Sequence, residues 1–198
     1  MASEAGGGYS RRVADPVRIL LIFAHPALER ARAAPALLAG AADLPNVTVR
    51  DLYELYPDFA VDVPTEQDLL RQHDAVVLQF PLHWYSAPAL LKEWMDVTWL
   101  HGFAYGTRGC ALKRKVLGVA ITTGGAPEAF DALGVHGHGL GELLLPFEQA
   151  ARLCEMRWAE PFVVHDVPLL DDAALAHEGE RYREHLEGVA RQAARAPA

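Results

Sequence analysis

The sequence has few cysteines, no excess of positive charge and no long hydrophobic run, and each shortage argues against a class of protein. Its two cysteines, Cys110 and Cys154, form no CxxC pair, so we expect reduced, buried or half-buried thiols rather than a disulfide. The net charge of −8 argues against binding nucleic acid or an anionic membrane surface. No apolar run approaches the roughly 20 residues of a membrane-spanning helix, and the N-terminus lacks a signal-peptide core. A cytoplasmic protein is therefore expected.

The length and composition fit one folded unit. The chain has 198 residues, of which 51% are hydrophobic and 22% charged. A chain of this size can bury roughly 70% of its unfolded surface, which suffices for a sheet covered on both faces. Residues 1–15 are polar and glycine-rich, and we interpret them as a disordered arm. Residues 16–198 are expected to form a single domain.

Short apolar runs alternate with helical patterns along the chain. Strands are predicted at 17–23, 47–52, 75–80, 115–122 and 157–164. Helices are predicted at 33–42, 65–72, 89–100, 139–154 and 171–195, with Thr65 capping the second and Pro146 interrupting the fourth. This alternation predicts an α/β fold, namely a flavodoxin-like open parallel five-stranded sheet of order 2-1-3-4-5 with helices on both faces.

Ligands of such sheets bind beyond the carboxyl ends of the strands, which directs attention to three loops. The first begins at His25 and contains Arg30, Arg32 and Ala33, directly before the first predicted helix. A phosphate commonly occupies such a helix N-terminus, and the arginines would add positive charge. The loop has neither a dinucleotide nor a nucleotide-triphosphate motif, so a solvated basic loop is the alternative.

The second loop, residues 81–88, places aromatic side chains at the end of a central strand. Trp84 and Tyr85 are expected to be partly exposed, where they can cover a flat aromatic ligand. The alternative is that Trp84 packs beneath the next helix, as Trp94 and Trp99 are expected to do.

The third loop follows the fourth strand and contains two glycines. Its residues are Thr122, Thr123, Gly124 and Gly125, whose backbone N–H groups can approach a ligand closely, although a tight turn without a ligand would have the same sequence. His136 follows in a glycine-rich segment. We interpret it as a proton donor or charge stabiliser rather than a zinc ligand, because no cysteine or carboxylate of matching spacing joins it; no metal is predicted.

Together these blocks resemble the flavodoxin-like NAD(P)H:quinone oxidoreductase family, in particular the KefF-type ancillary subunits of glutathione-gated potassium efflux systems. The likeness runs from about residue 17 to about residue 165. The blocks that carry it are AHP (24–26), DLY (51–53), LYPDF (55–59), QFPLHWYS (79–86), PALLKEW (88–94), GFAYG (102–106) and TTGG (122–125).

The resemblance implies an FMN-dependent homodimer, with the site at the subunit interface, that passes hydride from NAD(P)H to a quinone or related electrophile. It implies that the first loop holds the flavin phosphate, that the second lies against the isoalloxazine, and that the third bonds its pyrimidine edge. FMN is expected rather than FAD, because no extra segment follows the last helix. The candidate flavin-binding residues are His25, Arg30, Arg32, Ala33, Leu82, His83, Trp84, Tyr85, Thr122, Thr123, Gly124 and Gly125, and the candidate catalytic residue is His136.

Two features depart from the family pattern. Ala31 and Ala34 replace a serine and an asparagine of the phosphate loop, which removes two side-chain hydrogen bonds. Phe130 replaces a tyrosine that, in the diaphorase branch, pairs with the histidine six residues later, here His136. The alternative function is therefore a regulatory ancillary subunit, bound to a membrane potassium efflux transporter at the inner face of the membrane, with redox activity secondary or lost. A one-electron carrier is disfavoured, because the Trp84 loop and the segment 106–115 are suited to enclosing a substrate.

Overall fold

A parallel sheet runs through the centre of the molecule. The computed structural model describes residues 16–107 and 110–195; the predicted arm 1–15 lies outside them. The strands are β1 (Ile19–Phe23), β2 (Val47–Asp51), β3 (Ala75–Pro81), β4 (Val116–Thr122), β5 (Arg157–Trp158) and β6 (Phe162–Val164). Their order is β2-β1-β3-β4, with β5 and β6 both paired to β4, and every pairing is parallel. The predicted flavodoxin-like order 2-1-3-4-5 is confirmed.

Helices cover both faces of the sheet, as predicted. They are α1 (Ala33–Ala42), α2 (Leu52–Leu55), α3 (Val63–Gln72), α4 (Ala89–Thr98), α5 (Leu140–Leu153) and α6 (Asp172–Ala194). Alternate residues of each central strand face opposite sides: Leu20 and Ile22 belong to the core that α4 and α5 cover, whereas Ile19 and Leu21 belong to the core that α1 and α6 cover. This two-sided burial explains why the strands are continuously apolar.

Glycines bring α1 and α6 into close contact. A β-carbon on Gly40 would clash with the carbonyl oxygen of Gly179, and one on Gly179 would lie 2.6 Å from that of Ala36. Neither backbone can therefore accommodate a larger residue at this crossing. The crossing fixes the position of α1, whose N-terminus lies at the candidate site.

The start of α3 differs from the prediction. Asp62, not Thr65, caps the helix: its carboxylate accepts from the Thr65 backbone N–H at 3.2 Å. Glu66, predicted only as an acidic residue of the first turn, is fully buried. It accepts from Arg50 Nε at 3.1 Å, from the Tyr56 hydroxyl at 2.6 Å and from the Trp94 indole N–H at 3.0 Å. This network ties β2 to α3 and α4, since a buried carboxylate needs such partners.

Two prolines act differently from expectation. Pro146 does not interrupt α5, which runs through it; the buried Leu144 and Phe147 on either side hold this stretch against the core despite one missing hydrogen bond. The fifth strand, by contrast, is not continuous. It divides into β5 and β6 around Pro161, which has no N–H to donate to a neighbouring strand.

Two further sequence-level expectations have clear outcomes. Cys154 is buried as expected, whereas Cys110 is exposed, because it lies in a loop that does not pack into the core. Within the described part of the chain, no helix is both long and apolar enough to cross a bilayer.

Candidate functional site

Two adjoining cavities lie at the carboxyl ends of the central strands. Cavity A, of about 420 Å³, is bordered by Pro81 and Thr122, the last residues of β3 and β4; cavity B, of about 280 Å³, adjoins it. They share Leu82, Thr123 and Gly124. The other predicted residues divide between them: His25, Arg30, Arg32, Ala33, His83 and Thr122 line cavity A, whereas Trp84, Tyr85, Gly125 and His136 line cavity B. The structure therefore brings together every residue that the sequence proposed for the site.

The N-terminus of α1 opens into cavity A without a cap. Arg32 occupies the N-cap position, no side chain among the described residues accepts from the first turn, and that turn contains no acidic residue. The backbone N–H groups of Ala33 and Ala34 have no partner within the helix, as at any helix start, and both residues line the cavity. This arrangement suits an anion such as a phosphate.

The two arginines of the first loop are held differently. The Arg32 guanidinium donates to the carbonyl oxygens of Val167 and Pro168, at 3.4 and 3.2 Å, on the loop after β6. It is thereby anchored at the border of cavity A. The Arg30 side chain is 83% exposed and lies 3.7 Å from the Glu29 carboxylate. Only Arg32 therefore has a fixed place beside the cavity.

His25 offers cavity A a hydrogen-bond donor rather than a charge. The backbone N–H of Ala27 donates to its Nδ1 at 3.1 Å, so the neutral ring carries its proton on Nε2. Burial, and secondarily the neighbouring His83, lower the pKa of His25 below its ordinary value. The ring of His83 meets that of His25 edge to face, with centroids 6.2 Å apart.

In the third loop, the glycines rather than Thr123 have free donors. The Thr123 hydroxyl donates to the Gly125 carbonyl at 2.8 Å, and its backbone N–H donates to Val164 at 2.9 Å. Among residues 16–107 and 110–195, no protein group accepts from the N–H of Gly124 or Gly125. A β-carbon on Gly124 would meet nothing within 4 Å, so this backbone faces open space. Thr123 braces the loop, and the glycine N–H groups are left for a ligand.

The aromatic residues of the second loop occupy a tight turn. His83 and Ser86 exchange two backbone hydrogen bonds, both 3.0 Å long. Between them Trp84 and Tyr85 have φ angles of 49° and 64°, the left-handed region that bulky residues avoid. Trp84 is 93% exposed, so the alternative that it packs beneath the next helix is wrong. Trp94 and Trp99 are the tryptophans that pack there, as expected.

His136 borders cavity B, and its ring lies close to Phe130, Tyr85 and Gly125. Its ring centroid lies 4.5 Å from that of Phe130, and its Nδ1 lies 3.4 Å from the Tyr85 hydroxyl. Its Nε2 lies 3.4 Å from where a β-carbon of Gly125 would be. His138, the second histidine of the segment, pairs instead with Glu142 at 3.3 Å. In the described ranges, no three His, Cys, Asp or Glu side chains are placed to hold a metal ion.

Part of the border of cavity A was not predicted from the sequence. Val167 and Pro168, on the loop after β6, line it. The rule that ligands bind beyond the carboxyl ends of strands would have included this loop, had it been applied to the fifth strand as well as to the central ones.

An apolar groove lies between α4 and α5, beside the aromatic turn. Its volume is about 390 Å³, and its border includes Ser86, Met95, Trp99, Phe147 and Leu153. Leu153 is 61% exposed. The groove is therefore an apolar surface that the described residues of a single chain leave uncovered.

A parallel sheet of this order, with its cavity at the carboxyl ends of β3 and β4, defines a flavodoxin-like protein. A family described as having a flavodoxin-like fold matches residues 17–186. The chain belongs to the flavodoxin-like quinone reductase family.

Named relatives and solved structures agree with this membership. The chain is 42% identical over 174 residues to the glutathione-regulated potassium-efflux system ancillary protein KefG of Cronobacter sakazakii, covering 88% of this chain and 95% of that protein. It is 43% identical over 168 residues to the corresponding KefF of Klebsiella aerogenes, covering 85% and 94%.

Two solved structures are also similar. General stress protein 14 of Treponema denticola, in complex with FMN, has a TM-score of 0.80 at 32% identity, covering 88% of this chain and 99% of that one. An NADPH-quinone reductase of P. pentosaceus has a TM-score of 0.78 at 36% identity, covering 85% and 97%.

Proposed function

We propose that the chain is an FMN-dependent oxidoreductase that passes hydride from NAD(P)H to a quinone or related electrophile. The observation that carries this proposal is the continuity of cavities A and B, which joins an anion-binding helix N-terminus to an aromatic, donor-lined slot. The names of two similar structures, one an FMN complex and one an NADPH-quinone reductase, support it. The chemistry that bound FMN would supply is two-electron transfer, as hydride, from NAD(P)H to the acceptor.

The residues of cavity A fit the phosphate end of FMN. The uncapped N–H groups of Ala33 and Ala34, the Nε2–H of His25 and the anchored guanidinium of Arg32 are donors suited to a phosphate. They replace the side-chain hydrogen bonds that Ala31 and Ala34 cannot make. FMN retention therefore depends on backbone donors and Arg32.

The residues of cavity B fit the flat ring. The N–H groups of Gly124 and Gly125 would donate to polar atoms on its edge, and the turn that carries Trp84 and Tyr85 would shield it from water. His136 would donate toward the charge that develops on the reduced ring or on the acceptor.

The experiment is a visible spectrum of the purified protein before and after FMN is added, followed by anaerobic NADPH. Flavin bands that stay with the protein through desalting and bleach with NADPH are expected. Arg32→Gln should weaken FMN binding at least about tenfold, because it removes a charged hydrogen-bond donor. Arg30→Gln is the matched control and should change binding much less. A protein that retains no FMN overturns the proposal.

We also propose that the working form is a homodimer. The apolar groove adjoins the aromatic turn at Ser86, so a second copy seated on it would lie beside cavity B. Light scattering during size exclusion should give twice the mass of one chain. Leu153→Glu should shift the protein toward the monomer, because it puts a charge on the groove. A monomeric wild-type protein contradicts this assembly.

A second candidate function is that of a regulatory ancillary subunit of a potassium efflux transporter. It is favoured by the 42–43% identity to proteins named as ancillary to glutathione-regulated potassium efflux. Such a subunit would sit at the inner face of the membrane through its partner. Co-purification with a transporter of this kind from detergent-solubilised membranes, retained in a variant that has lost NADPH oxidation, would establish it. Failure to bind such a transporter would rule out this second function and leave only the proposed oxidoreductase.

A further inference from the structure

In the segment that carries His136, the ring beside the imidazole is that of a phenylalanine. The residue six positions earlier is Phe130, whose ring lies 4.5 Å from the imidazole with an interplanar angle of 35°. Phe130 therefore packs on the face of the imidazole and has no hydroxyl to donate. If His136 is to have a hydrogen-bonded partner, another element must supply it.

A tyrosine hydroxyl reaches the same imidazole from the second loop. Tyr85 is 51 residues away in sequence, and its hydroxyl lies 3.4 Å from Nδ1 of His136. The two rings meet edge to face, with centroids 5.5 Å apart. The contact is longer than a strong hydrogen bond, as catalytic hydrogen bonds often are before a ligand closes the site.

The backbone conformation of the turn indicates that this contact has a function. Trp84 and Tyr85 both have positive φ, a strained conformation for bulky residues. Asn-Gly would form the same two-residue turn without that strain. Within the described part of the chain, His136 is the only hydrogen-bond partner of the Tyr85 hydroxyl. The strained turn therefore presents this hydroxyl to one partner.

We propose that Tyr85 is a positioning residue for His136. Its hydroxyl donates to Nδ1, which places the proton of the neutral ring on Nε2. That nitrogen lies 3.4 Å from where a β-carbon of Gly125 would be, at the border of cavity B. It is then a donor for negative charge that develops in the cavity. The role of this pairing in turnover rests on the proposed function.

The first test needs no flavin. In protein labelled with ¹⁵N at histidine, at a pH where the rings are neutral, acceptance of the hydrogen bond shields Nδ1 of His136. Tyr85→Phe should move that resonance to the value of an unbonded imine nitrogen. Tyr105→Phe is the matched control, because Tyr105 makes a similar edge-to-face contact with His101, at 5.5 Å and 78°. It should leave the His136 signals unchanged. An unchanged Nδ1 in Tyr85→Phe overturns the proposal.

The second test asks whether the two side chains act as one unit. In FMN-loaded protein, Tyr85→Phe should lower quinone reduction by about two- to tenfold, the effect of one neutral hydrogen bond. In a His136→Ala background the same change should have no further effect. Equal losses in both backgrounds would mean that Tyr85 acts directly on the ligand. Failure to retain FMN would overturn the proposed function, whereas the spectra of the flavin-free protein would still test whether Tyr85 positions His136.

Discussion

At the scale of single residues, Gln79 is a buried polar side chain without a partner. It is 2% exposed and lies in β3, two residues before Pro81 at the border of cavity A. Among the described residues, neither its amide nitrogen nor its amide oxygen makes a hydrogen bond. A buried amide in this state loses its bonds to water and gains none in return.

We therefore expect Gln79→Leu to raise the free energy of unfolding by about 1–2 kcal/mol. Urea denaturation measures it. Gln67→Leu is the control and should lower stability, because the Gln67 amide donates to the Thr98 carbonyl at 2.9 Å. A loss of stability in Gln79→Leu would contradict this expectation.

His185 makes stability depend on pH. It packs beside Phe162 and Tyr182, and burial lowers its pKa from 6.5 to about 4. Between these two values the unfolded chain binds more protons than the folded one, so stability falls as the pH falls from 6.5 to 4. His185→Phe should lose less stability than the wild type between pH 7 and pH 4.5, as thermal melts would show. His177→Gln, at an exposed position, should keep the wild-type profile.

At the scale of elements, the aromatic turn has a strained backbone, which lowers the stability of the protein but places two side chains. Replacing Trp84 and Tyr85 by Asn-Gly should raise the free energy of unfolding by about 2 kcal/mol, because both positive φ angles become favourable. The same change should weaken FMN retention, because the aromatic cover of cavity B is lost. Urea denaturation and FMN titration measure the two effects.

A control for this prediction lies far along the chain. Arg114 also has a positive φ, of 67°, and is exposed away from both cavities. Arg114→Gly should therefore stabilise the protein and leave FMN binding as it is. If the Asn-Gly turn bound FMN as well as the wild type does, Trp84 and Tyr85 would have no part in the proposed flavin site.

The crossing of α1 and α6 offers a second prediction for an element. Gly179→Ala should destabilise the protein by about 1–3 kcal/mol, because its β-carbon would lie 2.6 Å from a backbone oxygen of α1. Gly188→Ala, in the same helix, is the matched control. Its β-carbon would meet only the end of the Arg191 side chain, at 3.6 Å, so the better helix propensity of alanine should stabilise the protein. Equal effects in thermal melts would contradict the close crossing.

At the scale of the whole molecule, the sheet order followed from local patterns. Runs such as Ile19–Phe23 are buried on both faces, and their alternation with helices leaves few topologies. The cap of α3 and the burial of Glu66 did not follow, because each depends on partners that meet only in the folded chain. Pro161 indicates a break in the fifth strand, but the apolar residues around that proline are typical of one continuous strand.

The border of the site was predictable for a similar reason. Residues at the carboxyl ends of neighbouring parallel strands must meet, so three loops separated in sequence could be assigned to one place. Their individual contacts could not be assigned. That Thr123 braces its own loop, and that Tyr85 rather than a residue near Phe130 reaches His136, depends on side-chain directions that no spacing encodes.

The two edges of the sheet determine how copies of this protein can associate. At one edge, Arg50 of β2 turns inward to the buried Glu66; at the other, β5 and β6 are two and three residues long and flank Pro161. Inward charges, short strands and proline all oppose the addition of a foreign strand. Assembly by sheet extension, the route to fibrils, is therefore disfavoured at both edges. Ordered self-association is favoured instead at helix faces, where the apolar groove lies.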